Sequence, residues 1–274
     1  MSIVAVSQSL GSLGDEIGRE LARTRSYQFA DREIILEAGE RFGEGVPTLQ
    51  HATEERPSLW ERFAGTRDPY RAYVEAIVWE IAARDRVVIV GRGAPFVLAS
   101  VRHALRVRIT APEDLRTKRV ENQQGLTHEA APGVVRQSDR DRAARIKFLY
   151  DVDWDTPLLY DLVLNTERVA MTDVVRILQE ALRSDRYQPT TDSLREVKDR
   201  SIAAGAKAAL LANPATRDLQ LTAICRDGQL SISGRVEREE LRQVAGEVVG
   251  GIPGVTGVLN EIVVLPPRLI SPGV

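Results

Sequence analysis

The chain has 274 residues, of which 43% are hydrophobic, and its 37 basic and 39 acidic side chains give a formal net charge of −2. This length accommodates one large domain or two small ones, and the near-neutral charge gives no electrostatic case for nucleic-acid binding. Cys225 is the only cysteine, which excludes an intrachain disulfide and fits a reducing compartment. We find neither a signal-peptide pattern nor an apolar run long enough for a bilayer, so a cytoplasmic protein is expected.

A candidate phosphate-binding loop lies near the start of the sequence. The apolar run Ile3–Val6 is followed by the glycine-containing segment Ser7–Gly18, and a strand, a glycine turn and a helix start are typical of such loops. Gly14 stands where the usual lysine would be, and Asp15 stands near the Ser/Thr position. The alternative is an ordinary strand-to-helix turn in which Asp15 and Glu16 satisfy the helix dipole. In a further alternative, Asp15 ligates Mg²⁺.

Strands and helices alternate through the first two thirds of the chain. After the first strand, we predict three strands and two amphipathic helices: Val87–Val90, Leu105–Ile109, Leu162–Leu164, Tyr70–Ala83 and Thr172–Leu182. This alternation predicts a mostly parallel sheet covered by helices. Thr172 is the expected N-cap of its helix. Arg106 and Arg108 interrupt one strand, which should therefore be less buried than the others. The polar segment Gly43–Pro69 reads as an insertion with a short helix near Leu59–Phe63.

Arginines suited to phosphate recognition occur in two further places. Arg92 lies between two glycines at the carboxyl end of a predicted strand, where ligands of open α/β sheets bind. The alternative interpretation is that Arg92 is a surface arginine in a turn. A charged helical stretch contains Arg136, Asp139, Arg140, Asp141, Arg142, Arg145 and Lys147. Such a stretch can serve as a cationic lid for phosphoryl transfer or be a solvated helix with internal ion pairs. Asp31, followed by Arg32, also suits a helix N-cap.

The pattern changes after the polar linker candidate Ser184–Ser193. An α-β-β-α-β order is predicted from Leu194–Ala212, Leu219–Cys225, Leu230–Ser233, Arg238–Val249 and Val258–Leu265. The Asp227-Gly228 pair between the first two strands is a strong hairpin signal. These elements predict a compact second unit.

In its first ~185 residues the chain resembles the cytidylate kinase-like group of P-loop nucleoside monophosphate kinases. The resemblance rests on matching pieces in matching order: SQSLGSLGDEIG, FADREII, VIVGRGA, LRVRITAPEDLRTKRV and SDRDRAARIKFLYDVDWDTPLLYDLVLNT. It implies a three-layer αβα fold with a parallel sheet and a helical lid. That group commonly lacks the loop lysine and favours a GSGG turn with an arginine just upstream, where this chain has Leu13 among the glycines and Gln8 upstream.

The resemblance also implies roles for individual residues. The phosphate loop would consist of Gly11, Ser12, Leu13, Gly14, Asp15 and Glu16. The monophosphate pocket would contain Asp31, Arg32 and Arg92, and the lid would supply the catalytic arginines Arg136, Arg142 and Arg145. ATP would be the phosphate donor, with Mg²⁺ as cofactor.

Residues ~192–266 resemble a BON domain, a small α/β module of bacterial envelope and osmotic-stress proteins, through DGQLSISGRV and IPGVTGVLNEIVV. This resemblance implies a phospholipid or protein partner, and hence a cytoplasmic protein that can be peripheral at the inner membrane. The predicted organisation is a kinase-like domain (1–185), a linker (186–193), a BON-like domain (194–266) and a tail (267–274).

Three functions follow as hypotheses. The first is an enzyme that transfers a phosphoryl group from ATP to CMP or a related nucleotide. The second is a catalytically weakened nucleotide sensor that signals through the BON-like domain. The third is a scaffold that the C-terminal module attaches to a membrane or protein.

Overall fold

The computed structural model describes residues 2–30 and 67–265 of the chain. Asp31, Arg32 and the predicted insertion as far as residue 66, including its short helix, lie outside the described residues. Arg67 to Pro69, the last residues of that predicted insertion, belong instead to the first turn of a helix.

The larger unit alternates strands and helices as the sequence predicts. Its elements are β1 (Ile3–Gln8), α1 (Gly14–Arg25), β2 (Gln28–Ala30), α2 (Arg67–Ala82), β3 (Val87–Val90), α3 (Ala94–Val97), β4 (Ala104–Thr110), α4 (Glu113–Gln124), α5 (Ala131–Tyr150), β5 (Leu162–Asn165) and α6 (Met171–Ala181). The strands form a parallel sheet in the order β2-β3-β1-β4-β5. The predicted three-layer αβα class is confirmed.

The sheet is buried on both faces, which explains the continuous apolar sequence of its central strand. Ile3 and Ala5 of β1 face a core that includes the apolar side of α2, whereas Val4 and Val6 face a core formed with α1 and α6. Because β1 lies at the centre of the sheet, its carboxyl end and the loop that follows it are held from both sides.

The expectation that β4 is less buried than the other strands is wrong. Five of its seven residues are buried, including Arg108 at 4% exposed, whereas none of the four residues of β5 is buried. Arg106 forms an ion pair with Asp161 at 2.8 Å, and Arg108 forms one with Asp155 at 2.7 Å. Pairing lets a charged side chain remain within a covered sheet.

The predicted N-cap of α6 is also wrong. Helix α6 begins at Met171, one residue before Thr172, and Ala170 occupies the cap position without a side-chain hydrogen bond. The apolar period of this helix identified its buried face, with Val174, Val175 and Leu178 in the core. Periodicity fixes such a face more firmly than it fixes the terminal residue.

The C-terminal unit has the predicted α-β-β-α-β order: α7 (Thr191–Ala212), β6 (Thr222–Arg226), β7 (Gln229–Val236), α8 (Glu239–Gly250) and β8 (Gly257–Val264). Strand β7 pairs antiparallel with β6 and parallel with β8. Helix α7 starts three residues before the predicted position because Thr190 and Ser193 form a reciprocal capping box.

Helix α7 contributes to two hydrophobic cores. Val197 and Ala208 pack into the core of the larger unit with α2, whereas Ile202, Ala206 and Leu210 pack into the core of the C-terminal unit. The helix is therefore a shared element rather than the start of an independent module. The domain limits at 185, 193 and 266 stay predictions.

Within residues 2–30 and 67–265, no helix is both long and apolar enough to cross a membrane.

Asp199 of α7 fixes the hairpin between β6 and β7, and its removal should destabilise the C-terminal unit. Its carboxylate accepts hydrogen bonds from the backbone N–H groups of Asp227 at 2.9 Å and Gly228 at 3.1 Å. Partial burial opposes ionisation, but these hydrogen bonds outweigh it and hold the pKa of Asp199 below its usual value. We expect Asp199→Ala to lower the free energy of unfolding by about 1–3 kcal/mol, measured by urea unfolding at pH 7.

The pH dependence of that loss has a defined sign. Because the pKa of Asp199 is lower in the folded state, its ionisation contributes stability above the unfolded-state pKa, and this contribution declines as the pH falls below about 4. Asp192→Ala on the same helix is the control, since Asp192 is exposed and pairs with Arg195. Equal effects of the two substitutions at pH 7 would refute this role for Asp199.

Candidate functional site

The loop between β1 and α1 has the backbone conformation of a tight turn that opens a helix. Gly11 has a φ of 77° and Leu13 a φ of 67°, values that glycine adopts freely and leucine only at an energetic cost. The N–H of Ile17 makes the first helical bond, to the carbonyl of Leu13 at 3.0 Å. The N–H groups of Gly14, Asp15 and Glu16 precede that bond, so they remain available at the helix start for an anion.

Side chains from the neighbouring elements hold this loop from behind. Ser12 is fully buried, and its hydroxyl donates to the carbonyl of Ile109 at 3.1 Å. Thr166 donates to the carbonyl of Ser12 at 3.0 Å. Because these contacts engage carbonyl oxygens or the Ser12 hydroxyl, they leave the N–H face of the loop open.

Two arginines of α4 extend this support and were missed as functional residues in the sequence. Arg116 donates to the carbonyl of Leu10 at 3.3 Å, and Arg119 donates to the carbonyl of Gly11 at 3.2 Å. Arg116 also forms an ion pair with Asp139 of α5 at 2.7 Å. Their spacing of three residues places both on one face of α4. That spacing within LRTKRV was the available signal, but it did not indicate which carbonyl groups the arginines contact.

Gln8 and Asp15 close one side of the loop. The Gln8 amide donates to the Asp15 carboxylate at 2.6 Å. A side chain at Gly14 would clash with Gln8, since an added Cβ would lie 2.3 Å from its Oε1 atom. The Gln8 side chain therefore covers Gly14, the position where the usual loop has its lysine.

The turn after β3 has an unusual run of three left-handed residues. Gly91, Arg92 and Gly93 have φ values of 83°, 56° and 68°. The conformation is easy for the glycines but strained for Arg92, and such strain is concentrated at functional sites. An added Cβ on Gly93 would lie 2.6 Å from the ring of Tyr150, so the turn also packs closely on α5.

A cavity of about 220 Å³ lies beside the carboxyl ends of β1 and β3. Its polar lining includes Gln8, Arg92, Arg142 and Arg145, and its apolar lining includes Tyr70, Val74, Phe96, Leu149 and Trp154. The larger unit thus brings three of the arginines suggested by the sequence to one concave surface. A few charged groups among aromatic walls are typical of a site for an anionic organic ligand.

Arg142 connects the cavity to the loop. Its guanidinium donates to the carbonyl of Gln8, the last residue of β1. Burial is the main influence that lowers the pKa of Arg142, and the charge of Arg145 acts in the same direction, whereas the charge of Asp15 opposes both. This charge is therefore desolvated beside another cation, a setting that an added phosphate would stabilise.

Tyr70 provides a second sign of positive charge in the cavity. Burial raises the pKa of its hydroxyl, and the charges of Arg145 and Arg92 oppose this rise. Both arginines therefore act on a hydroxyl that lines the same cavity.

The remaining predicted site residues are placed differently. Arg136 lies on α5 but forms an exposed ion pair with Glu113 at 3.0 Å and does not line the cavity. None of the loop residues Gly11 to Glu16 lines the cavity, but Gln8 does, and its side chain contacts Gly14 and Asp15 of the loop. Asp31 and Arg32 lie outside the described residues, so their predicted part in the monophosphate pocket stays a prediction.

The acidic residues present fit a magnesium ion that is held jointly with phosphate. Within the described ranges there is no cluster of three or more His, Cys, Asp or Glu residues that could hold a metal alone. Asp15 is a carboxylate at the helix start beside the loop. Mg²⁺ usually keeps several water ligands and binds through one or two carboxylates together with substrate phosphates, so one carboxylate at this place is sufficient.

Residues 3–168 match the Cytidylate kinase-like family, and these residues include β1, the loop, the Arg92 turn and α5. The chain belongs to that family. Residues 198–266 match the BON domain. Both matches agree with the resemblances found in the sequence, so this Cytidylate kinase-like chain carries a BON domain after its kinase-like unit.

Known proteins similar to this member of the Cytidylate kinase-like family match about two thirds of its length. A cytidylate kinase from Pyrobaculum calidifontis is 24% identical over 178 residues, which are 65% of this chain and 90% of that protein. A cytidylate kinase from Haloarcula marismortui is 27% identical over 192 residues, covering 69% and 93%. The crystal structure of an uncharacterized protein from Eubacterium ventriosum aligns with a TM-score of 0.54 at 20% identity, covering 66% and 97%, and supports the fold alone.

Proposed function

We propose that the protein is a nucleoside monophosphate kinase that transfers the γ-phosphoryl group of ATP to CMP or a related nucleotide. The observation that carries this proposal is the convergence of Arg92, Arg142 and Arg145 on one cavity next to the phosphate-loop turn. Arg92 comes from the β3–α3 turn and the other two come from α5, so two separate elements supply positive charge to the same space.

Each part of the site has a role in this proposal. The backbone N–H groups at the start of α1 hold phosphates of ATP. Arg92 binds the phosphate of the acceptor, and Arg142 and Arg145 neutralise the charge that develops during transfer. Asp31 and Arg32 help to place the acceptor nucleoside. No nucleophilic side chain is needed, because phosphoryl transfer depends mainly on positioning and electrostatic stabilisation.

Magnesium belongs to the same proposal. Asp15 would hold Mg²⁺ together with the phosphates of ATP, and the ion would neutralise charge on the β- and γ-phosphates. Since the carboxylate of Asp15 already accepts from Gln8, this hydrogen bond keeps it at the loop in the absence of nucleotide.

The BON domain is proposed to make contact with a phospholipid surface or a protein partner, in a cytoplasmic protein that can be peripheral at the inner membrane. The open face of its sheet exposes the apolar side chains of Ile224, Leu259 and Val263, each 55% exposed. Ile224 and Leu259 lie in one row across the sheet, since both are in register with Ser231. This apolar row supports a contact of that kind.

Calorimetric titration with each nucleoside monophosphate tests the proposed acceptor site. We expect one monophosphate to bind best and Arg92→Ala to weaken its binding by about 10- to 100-fold, the range for losing a charge-assisted contact with phosphate. Arg183→Ala is the control, because Arg183 is an exposed arginine paired with Glu180 in the same unit. Unchanged affinity in Arg92→Ala would remove Arg92 from the acceptor site.

A second candidate function is a nucleotide sensor with little or no turnover. The observation that favours it is the Gln8–Asp15 hydrogen bond, which places an amide over Gly14 and a negative charge at the helix start, where incoming phosphate is repelled. A sensor would bind nucleotide without releasing ADP. Gln8→Arg together with Asp15→Asn is expected to strengthen ATP binding if these side chains limit the loop, and unchanged ATP affinity would contradict this alternative.

A further inference from the structure

A buried arginine, Arg108, lies behind the candidate site and takes no part in the functions proposed so far. It is on β4, on the same strand face as Arg106, because side chains two residues apart point to the same side of a sheet. Its side chain is only 5% exposed, and one of its guanidinium nitrogens, Nη1, has no hydrogen-bond partner among the residues that the structure describes. Burying a charged group that has an unsatisfied donor destabilises the folded protein. The other contacts of Arg108 must therefore offset this cost.

Three contacts of Arg108 join separate parts of the site. Its Nη2 donates to the hydroxyl of Ser9 at 3.1 Å, directly after β1 and at the start of the phosphate loop. The same nitrogen pairs with Asp155 at 2.7 Å. Its guanidinium carbon lies 3.8 Å from the ring centroid of Trp154, a close cation–π contact.

Trp154 is the link between Arg108 and the cavity. The indole is only 4% exposed and lines the cavity, whereas Arg108 does not. Trp154 thus separates the guanidinium from the cavity. Arg108 contacts both Trp154 and Ser9, the residue that follows β1, so it fixes the position of the one relative to the other.

We propose that Arg108 is a positioning residue for nucleotide binding, which holds Trp154 as a wall of the acceptor cavity and ties that wall to the phosphate loop. This inference rests on the proposed function, because it assumes that the cavity takes a nucleoside monophosphate. Loss of the guanidinium should leave the cavity in place but let the Trp154 ring move, which would weaken binding of a ligand that packs against it.

The test uses the full chain with Trp60 and Trp79 replaced by phenylalanine, so that Trp154 is the only tryptophan. Arg108→Gln and Arg108→Lys are compared with Arg106→Gln, a matched control on the same strand face whose partner is Asp161. Three quantities are measured: acrylamide quenching of Trp154 fluorescence, calorimetric affinity for CMP and the other nucleoside monophosphates, and the thermal midpoint.

We expect Arg108→Gln to increase the quenching of Trp154 and to weaken monophosphate binding about five- to tenfold, an effect within the range for cation–π contacts. Arg108→Lys should retain part of both properties, whereas Arg106→Gln should change neither. A merely structural role would lower the thermal midpoint of both glutamine variants and leave quenching and affinity unchanged, which would overturn the proposal.

Failure of the proposed function gives a different result from failure of this inference. If the parent chain binds no monophosphate, the proposed function and the nucleotide role of Arg108 are both rejected. If the parent chain binds a monophosphate but Arg108→Gln has unchanged quenching or unchanged affinity, the role of Arg108 alone is rejected.

Discussion

Replacing Arg142 with methionine is expected to lower kcat/KM for the acceptor nucleotide by about 100- to 1,000-fold, the range seen when one preorganised donor to a developing charge is removed. Methionine retains much of the apolar length of arginine and removes only the charged donors. The effect should be large because Arg142 lines the cavity, is partly buried and donates to the carbonyl of Gln8. Steady-state kinetics of ADP release measures it.

Arg136→Met is the matched control for this experiment. Arg136 is on the same helix, but its guanidinium pairs with Glu113 at the surface and lies outside the cavity. We expect its kcat/KM to stay within about threefold of the parent value, because exposed ion pairs contribute little. Equal losses in the two variants would contradict the distinction that the structure draws between these two lid arginines. Urea unfolding of both variants separates a catalytic loss from a loss of fold.

Replacing Ala208 with aspartate is expected to destabilise the larger unit by about 3 kcal/mol or more, because an unpaired charge would be buried against α2. Ala208 is fully buried and belongs to the hydrophobic core that contains Val74, Ile77 and Trp79. Helix α2 also provides Tyr70 and Val74 to the cavity, so disruption of its contact with α7 should also weaken nucleotide binding. Thermal unfolding and calorimetry measure the two effects.

Lys207→Asp provides the control, since Lys207 is the neighbouring residue and is exposed. It should change stability by no more than about 0.5 kcal/mol, as is usual for a surface position. If Ala208→Asp left the unfolding of the larger unit unchanged, α7 would not be a shared element, and the predicted limit near residue 185 would gain support.

The strands and helices that could be predicted from the sequence are those with a continuous apolar run or a clear apolar period. Residues Val87–Val90 form a strand with the predicted bounds, and the helices predicted at Tyr70–Ala83 and Leu194–Ala212 are present as α2 and α7. Strand β2 was missed because it contains only the three residues Gln28–Ala30, too few to show a period. Short elements of this kind are fixed by pairing with a neighbouring strand, here β3, and not by their own sequence.

The site was predictable in part, because sequence shows which residue types occur but not which of them converge. Arg92 stood out between two glycines, and the structure places it in the cavity with Arg142 and Arg145. Arg136 is also an arginine of this charged stretch, yet its side chain pairs with Glu113 and does not line the cavity. The role of Arg108 was hidden for a related reason, since its partners are separated by 99 and 47 residues along the chain.

The most direct measurement for the central claim is a coupled ADP-release assay with ATP, Mg²⁺ and each nucleoside monophosphate in turn. We predict turnover that depends on an added monophosphate, prefers CMP or a related nucleotide, and falls in Arg92→Ala but not in Arg183→Ala. Turnover that is absent with every monophosphate, in a folded chain that still binds nucleotide, would contradict the kinase assignment and leave the sensor as the function.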